Sequence, residues 1–235
     1  MSNTETVKSA VAQDKYPWSK YTLGIGGGRK VTSTQYTLYI VQIAVIIILS
    51  YLSVVMLGPL SFSGISFFYF VYPFFMVFTE WWGLWGILAA YIGCVVGAGL
   101  MVGLGIVPSI LYSVADLVPP LVMFIIYRGF LGKMGIDPLF RDLTDKQIGE
   151  TKTHRGMAWV WFILINVVVL NLISAQLGIG IEYQLGLVPP SAYWYYWAGW
   201  FVGDAIAMII ITPIIVKGLT SLVERQGLVN TGWIT

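Results

Sequence analysis

Six runs of apolar residues, each close to bilayer-spanning length, dominate the sequence. A transmembrane helix needs about 20 predominantly apolar residues, and every backbone polar group within the hydrocarbon must be paired inside the protein. The alternation of polar and apolar residues that is typical of a membrane β-barrel is absent from these runs. We therefore predict an all-α membrane protein, a bundle of six transmembrane helices at residues 37–57, 62–78, 84–107, 108–128, 156–177 and 193–216.

Composition excludes a soluble fold and disfavours most catalytic chemistry. Hydrophobic residues make up 57% of the 235 residues and charged residues 10%, whereas soluble domains carry roughly 25% charged residues. With Cys94 as its single cysteine, the chain has no intrachain disulfide and no Cys-rich metal site. With His154 as its single histidine, a His-based metal or haem site is not expected. The glycines at 24–28 lack the Lys-Ser/Thr of a phosphate loop. We expect no enzyme activity, no cofactor, no metal site and no nucleic-acid partner.

The cationic residues predict the orientation of the bundle. All 13 Lys and Arg residues lie before the first predicted span, between the fourth and fifth, or after the sixth. Six crossings place these three groups on one side, which the positive-inside rule makes cytoplasmic. The predicted organisation is a cytoplasmic tail at 1–36, a transmembrane domain at 37–217 with a cytoplasmic loop at 129–155, and a cytoplasmic tail at 218–235. With no early apolar segment we expect no cleavable signal peptide, and a multi-pass plasma-membrane protein with both termini inside.

Two acidic residues fall well inside predicted spans. Burying a charge in a bilayer costs at least about 2.5–3.5 kcal/mol, so such residues are functional candidates. At about 1.5 Å per residue, Asp116 lies roughly 12 Å, Asp204 roughly 10 Å and Asn171 roughly 9 Å below the outer face, with Gln176 shallower. Two interpretations stand equally: an outward-open polar pocket, suited to a cation or to amine or amide donors, and a structural hydrogen-bond network.

Other candidates lie near the predicted outer face. Glu182 and Tyr183, in a predicted outer loop at 178–192, could cap the pocket or remain solvated. The aromatic residues around Trp197 and Trp200 favour an interfacial belt, with a ligand entrance as the alternative. The complete predicted ligand-binding set is Asp116, Asn171, Gln176, Glu182, Tyr183, Trp197, Trp200 and Asp204.

Small residues in the third span predict close helix packing. The pairs Gly93/Gly97 and Gly99/Gly103 have the small-xxx-small spacing that lets helices approach closely. Packing within the bundle is the favoured interpretation, and a docking face for a partner protein is the alternative. Glu80, in the sequence Glu-Trp-Trp-Gly, ends the second predicted span and is expected to be an interfacial anchor.

Residues 57–128 resemble the substrate-binding S components of energy-coupling-factor (ECF) vitamin transporters. The features that carry this resemblance are the short Gly58-Pro59 connection, the sequence Trp-Gly-Ile-Leu-Ala-Ala-Tyr-Ile-Gly at 85–93, Asp-Leu-Val-Pro-Pro at 116–120, and the six helices. The resemblance implies an outward-facing pocket for a small nutrient. It also implies two kinds of partner, a transmembrane coupling protein and two ATPases.

The second half resembles the bacterial membrane-associated sensor domain. Here the resemblance is carried by Leu-Phe-Arg-Asp-Leu at 139–143, Trp-Phe-Val-Gly-Asp at 200–204 and Thr212-Pro213. It implies signal detection at the membrane. The sequence thus predicts a membrane-embedded binding subunit of an uptake transporter, whose vitamin- or nutrient-like ligand enters from the outer face. The alternatives are a non-catalytic structural subunit of a larger membrane complex and a stand-alone membrane sensor.

Overall fold

The computed structural model describes residues 18–25, 31–56, 61–62, 65–66, 68–145 and 152–235, with backbone alone at 61–62, 65–66 and 152–155. The described chain is almost entirely helical. Its α-helices are α1 Ser33–Val55, α2 Tyr72–Trp82, α3 Leu84–Gly93, α4 Ile106–Tyr112, α5 Val114–Gly129, α6 Lys152–Trp161, α7 Leu170–Gln184, α8 Tyr193–Ile215 and α9 Ser221–Arg225.

Shorter elements join these helices. The π-helical segments Cys94–Gly99, Phe162–Val169 and Val216–Thr220 continue α3, link α6 to α7 and link α8 to α9. Turns of 3₁₀-helix occur at Leu100–Val102, Leu131–Met134, Arg141–Leu143 and Pro190–Ala192. The strands β1 Ser61–Phe62 and β2 Ile65–Ser66 form an antiparallel pair, with Ser61 opposite Ser66.

Five helical stretches of the described chain are long and apolar enough to cross a membrane: Ser33–Val55, Leu84–Val102, Ile106–Met134, Gly156–Gln184 and Pro190–Arg225. The predictions of an all-helical fold and of a membrane protein are confirmed at this level. The first of the five begins with a capping box, in which Thr32 Oγ1 accepts from Gln35 N at 3.3 Å and Thr32 N donates to Gln35 Oε1 at 3.0 Å. This pairing starts the helix at Ser33, four residues before the predicted start.

The second predicted span has the wrong bounds. Residues 61–62 and 65–66 form the β1–β2 pair, and α2 has only 11 residues. At about 1.5 Å per residue it covers roughly 16 Å, about half of a hydrocarbon core. Proline at its second position favours helix initiation there. All of its residues except Phe74 are buried, so its apolar sequence reflects contact with the surrounding helices rather than with lipid.

Other predicted boundaries also move. The third span ends at Val102, because Gly103 adopts a φ of +90° that terminates the helical turn. The fourth begins at Ile106 and is divided at Ser113. The fifth continues to Gln184, so residues 178–184 are helical rather than an outer loop. The sixth span has its α-helix from Tyr193, the predicted start, so the aromatic residues from Tyr193 onward form the first turns of α8. The predicted end of the first span at Gly58-Pro59 lies outside the described residues.

The C-terminal tail, residues 226–235, folds back onto the ends of several helices. Asn230 is fully buried. Its Nδ2 donates to Trp82 O and Ile234 O, both at 2.9 Å, and its Oδ1 accepts from Tyr39 Oη at 2.8 Å. Leu84 N donates to Trp233 O at 2.8 Å. The tail therefore fastens α1, α2 and α3 together at one end of the bundle, called here the tail end.

The described N-terminal segment pairs with this tail. Trp233 N donates to Gly24 O at 2.8 Å, Ile234 N donates to Ile25 O at 3.1 Å, and Thr22 N donates to Thr231 O at 2.8 Å. Residues 22–25 and 231–234 consequently lie at the same end of the bundle.

A buried ion pair completes the tail end. Arg128 Nε lies 3.1 Å from Glu80 Oε2, and both side chains have 0% exposure. Arg128 Nη1 also donates to Asn230 O at 3.1 Å, and its Nη2 donates to Glu80 O. The guanidinium group lies 4.3 Å from the centre of the Phe124 ring. Glu80, expected to be an interfacial anchor, is instead half of an interior salt bridge.

The loop after α5 is held to the same end. Arg141 forms ion pairs with Asp137 and with Glu224 of α9, and Tyr21 Oη donates to Glu224 Oε1 at 2.9 Å. Burial, with the nearby Asp137 carboxylate, raises the pKa of Asp142 in this loop to about 7. The loop, α9 and the N-terminal segment thus form one charged layer.

Replacing Asn230 with alanine should destabilise the protein. The substitution removes three side-chain hydrogen bonds, each contributing about 1 kcal/mol, and leaves buried partners unpaired. We expect a loss of about 2–4 kcal/mol, measured as a lower melting temperature by tryptophan fluorescence in detergent. The exposed Gln226 is the control. Equal melting temperatures for Asn230→Ala and Gln226→Ala would show that the tail contributes nothing to stability.

The Glu80–Arg128 pair should show strong coupling in a double-mutant cycle. Arg128→Met alone leaves a buried carboxylate without its cation, which should cost about 3–5 kcal/mol. Glu80→Leu combined with Arg128→Met removes both charges and should restore part of that loss. A double variant that is as unstable as the sum of the single variants would contradict this account of the pair.

Candidate functional site

Asp116 and Asp204 come together inside the bundle. Asp116 lies in the first turn of α5 and Asp204 in the middle of α8. Each side chain belongs to a residue with only 1% exposure. The two carboxyl groups interact electrostatically, so the depth match in the sequence corresponds to shared surroundings in the fold.

Tyr72 joins the helices around these acids. It is the first residue of α2 and is fully buried. Its hydroxyl donates to Leu170 O at 3.5 Å, and its side chain interacts with Ser174, Asp116 and Asp204. Tyr72 therefore joins α2 to α7 by a hydrogen bond and lies within electrostatic range of acids on α5 and α8.

Trp200 closes the contact between α7 and α8. Its Nε1 donates to Ser174 Oγ at 3.1 Å, and it lies one helical turn before Asp204. Its ring rests on Gly178, where an added Cβ would come within 2.5 Å of the indole. The absence of a side chain at Gly178 therefore makes room for the Trp200 indole ring. We call the residues Tyr72, Asp116, Asn171, Ser174, Trp200 and Asp204 the polar cluster.

Residues of α3 and α4 border the polar cluster. Cys94, the first residue of a π-helical segment, interacts with Tyr112, Ser113 and Asp116. Such segments occur frequently at functional sites because they displace one residue out of the regular helical pattern. Tyr112, the last residue of α4, also interacts with Glu182. Sequence reasoning missed Tyr72, Tyr112 and Ser174, since nothing distinguishes them from the many other aromatic and small residues in the spans. It used Cys94, the single cysteine, only to exclude a disulfide and a Cys-rich site.

Several polar atoms of the cluster lack a hydrogen-bond partner. Across the described part of the chain, nothing bonds to Asp116 Oδ1, to Asp204 Oδ2 or to either amide atom of Asn171. Asn171 is fully buried. Buried polar groups are almost always paired, and each unpaired one costs about 1–3 kcal/mol. The cluster therefore retains unused hydrogen-bonding capacity, which a bound molecule would satisfy.

Helical geometry explains which predicted residues reach the interior. Residues 171, 174, 178 and 182 recur at three- and four-residue spacing and share one face of α7. Glu182 is accordingly 8% exposed, and its Oε2 has no hydrogen-bond partner within the described chain. Gln176 is five residues after Asn171 and points about 140° away from it. It is exposed and donates from Nε2 to Tyr193 Oη at 3.1 Å.

The remaining predicted residues lie on the outside of the same helices. Tyr183 is 38% exposed, and its ring lies edge-on to that of Tyr193 with the centres 5.5 Å apart. Trp197 is half-buried and stacks on Phe201 with the ring centres 5.6 Å apart. The predicted set thus divides into interior residues (Asp116, Asn171, Glu182, Trp200 and Asp204) and peripheral ones (Gln176, Tyr183 and Trp197).

The glycines predicted to mediate close packing do so mostly within this chain. A Cβ on Gly93 would lie 2.2 Å from Ile46 Cγ2, and one on Gly97 would lie 2.2 Å from Ile47 O. These two residues bring α3 against α1. Gly99 abuts Ser109 of α4, whereas Gly103 has open space around it. A role in contacting another protein stays a prediction for all four.

No grouping of three or more His, Cys, Asp or Glu side chains suited to a metal ion occurs in the described residues. No protein-family model, curated protein or solved structure matches the chain. The resemblances noted in the sequence therefore stay predictions, and the geometry of the polar cluster carries the functional interpretation.

Two asparagines in the same stretch of chain provide a matched test of whether the Asn171 side chain lacks a hydrogen-bond partner. Asn166 and Asn171 are both fully buried, but Asn166 Oδ1 accepts from Tyr127 Oη at 2.7 Å. Asn166→Leu should destabilise the protein by about 1–3 kcal/mol because it leaves the buried Tyr127 hydroxyl without its hydrogen-bond acceptor. Asn171→Leu removes an unpaired amide and should leave the melting temperature unchanged or raise it.

Both variants are compared with the wild type by thermal unfolding in detergent, without added ligand. A loss of stability in Asn171→Leu as large as that in Asn166→Leu would mean that Asn171 is structurally paired, and would contradict the interpretation of the cluster as a binding surface with unpaired polar atoms.

Proposed function

We propose that this chain is the small-molecule binding subunit of a membrane uptake system and that the polar cluster holds the ligand. The observation that carries this proposal is the set of buried, unpaired atoms on Asp116, Asn171 and Asp204. A protein retains such atoms at a cost in stability, and functional sites are where that cost is expected. A purely structural network would pair them with one another.

The ligand reaches the cluster from the end of the bundle opposite the tail. Tyr72 and Glu80 are eight residues apart in α2, which separates the cluster from the buried ion pair by about 12 Å. Asp116 and Arg128 are twelve residues apart in α5, which corresponds to about 18 Å. The tail end is covered by residues 226–235 and by the Glu80–Arg128 pair, so the shorter route for a ligand leads through the other end.

We place the tail end in the cytoplasm and propose six crossings, with α2 and the β1–β2 pair together making the second. An even number of crossings agrees with the hydrogen bonds between residues 22–25 and 231–234. The cationic residues Lys20, Arg128, Lys133 and Arg141 belong to the same end, as the positive-inside rule expects. The ligand then enters from outside the cell, and energy for uptake comes from partner membrane subunits, a coupling protein and ATPases.

Native mass spectrometry of protein released gently from its own membrane tests this function. We expect a bound small molecule on the wild type and on Asp145→Asn, a control that alters an exposed acid outside the cluster. The isosteric variants Asp116→Asn and Asp204→Asn should fold but lose that molecule, because each removes a charged acceptor at the cluster.

Bound mass that is unchanged in both cluster variants would place the ligand elsewhere and contradict the proposal. Wild-type protein without any bound molecule, even after incubation with a small-molecule extract of the host cells, would also contradict it. Co-purified membrane subunits in that second case would favour a structural subunit instead.

A further inference from the structure

The spans that surround the polar cluster carry an excess of negative charge. Residues 31–127 and 156–216 contain no Lys, Arg or His, but they contain four acids: Glu80, Asp116, Glu182 and Asp204. Glu80 is neutralised by Arg128. The other three form no salt bridge within the described chain, although each is at least nine-tenths buried. A buried carboxylate without a cation is strongly unfavourable, so positive charge is what these surroundings lack.

From this imbalance we infer that the ligand of the polar cluster is an organic cation, an amine or a quaternary ammonium ion. This inference rests on the proposed binding function and specifies its substrate class. Three of the unpaired atoms, Asp116 Oδ1, Asp204 Oδ2 and Asn171 Oδ1, are acceptors, and one, Asn171 Nδ2, is a donor. An ammonium group is a matching set of donors with no acceptor of its own.

Aromatic rings around the acids fit the same class of ligand. Tyr72 is fully buried and Tyr112 is 6% exposed, and both interact electrostatically with Asp116. Trp200 lies between Ser174 and Gly178 of α7. Rings beside carboxylates attract organic cations through cation–π interactions worth about 2 kcal/mol or more when water is excluded.

The chain already holds one buried organic cation in this way. The Arg128 guanidinium group lies 3.1 Å from Glu80 Oε2 and 4.3 Å from the centre of the Phe124 ring. At the other end of α2, Tyr72 interacts electrostatically with Asp116 and Asp204, and the chain supplies no cation within these spans.

Asn171 provides an observation that is independent of the acids. It is fully buried, both of its amide atoms are unpaired, and it lies on the face of α7 that carries Ser174 and Gly178 against Trp200. Its amide oxygen can accept from an ammonium group, or its dipole can orient toward a quaternary one. The α7 face of the cluster therefore offers a ligand an amide in addition to the two acids.

The test measures binding of a matched probe series to the purified full-length protein by isothermal titration calorimetry at constant ionic strength. The probes are ethylammonium, tetramethylammonium, choline and 3,3-dimethylbutan-1-ol, which is the uncharged isostere of choline. Sodium serves as the reference cation. We expect at least one organic cation to bind at least tenfold more tightly than the uncharged isostere.

Variants connect this binding to the cluster. Asp116→Asn and Asp204→Asn should each raise the Kd of the best organic cation at least tenfold, while Asp145→Asn changes it less than twofold. Tyr72→Leu should raise the Kd similarly, whereas Tyr72→Phe, which keeps the ring, should have a smaller effect. Melting temperatures of all the variants show whether each protein is folded before its Kd is compared.

Binding of the uncharged isostere as tight as that of choline would overturn the inference. So would a native ligand, identified by its mass on the wild-type protein, that is neutral or anionic; the proposed binding function would then survive with a different substrate class. If no probe binds and the native ligand is an amine, the inference stands. If no probe binds and no native ligand is found, both proposals fail.

Discussion

The buried ion pair between Glu80 and Arg128 is the interaction on which the rest of the bundle depends. It joins the end of α2 to the end of α5, and its guanidinium group also bonds to the tail through Asn230 O. The two buried charges are retained because each neutralises the other and because the carbonyls of Glu80, Asn230 and Gly232 accept the remaining guanidinium donors. The pair thereby fixes the orientation of α2, a helix that contacts protein on nearly every side.

That orientation positions the polar cluster. Because α2 is short and held at its Glu80 end, its first residue, Tyr72, is held among Asp116, Ser174 and Asp204. At one end of α2 the buried positive and negative charges therefore balance. The other end has acids, an amide and aromatic rings but no cation. The contrast within a single 11-residue helix is the physical basis for assigning structure to one end and ligand binding to the other.

Sequence reasoning predicted the properties that depend on long runs of residues. Apolar length and low charge identified the membrane helices, and the cost of an intramembrane acid singled out Asp116 and Asp204. It failed where side-chain direction and tertiary contact decide the outcome. Gln176 was placed with Asn171 by depth alone, although five residues of helix turn it to the outer surface. The second span was misplaced because an apolar run has the same sequence signature whether lipid or protein surrounds it.

The C-terminal tail shows most clearly that sequence reasoning does not predict tertiary contacts. Nothing in residues 226–235 predicts that Asn230 bonds to Tyr39 and Trp82, partners that are 191 and 148 residues away in the sequence. Likewise, the partnership of Glu80 with Arg128 was not apparent, since one was interpreted as an anchor and the other only as the end of a span. Long-range pairing of polar groups leaves no periodic signal, in contrast to the glycine spacing that did carry information, such as Gly93 and Gly97 against α1.

A density map of the protein purified from its own membrane, at a resolution that reveals bound small molecules, tests the central claim most directly. The account predicts non-protein density in contact with Asp116, Asn171 and Asp204. A map in which these three side chains bond to one another, with no density between them, would contradict it.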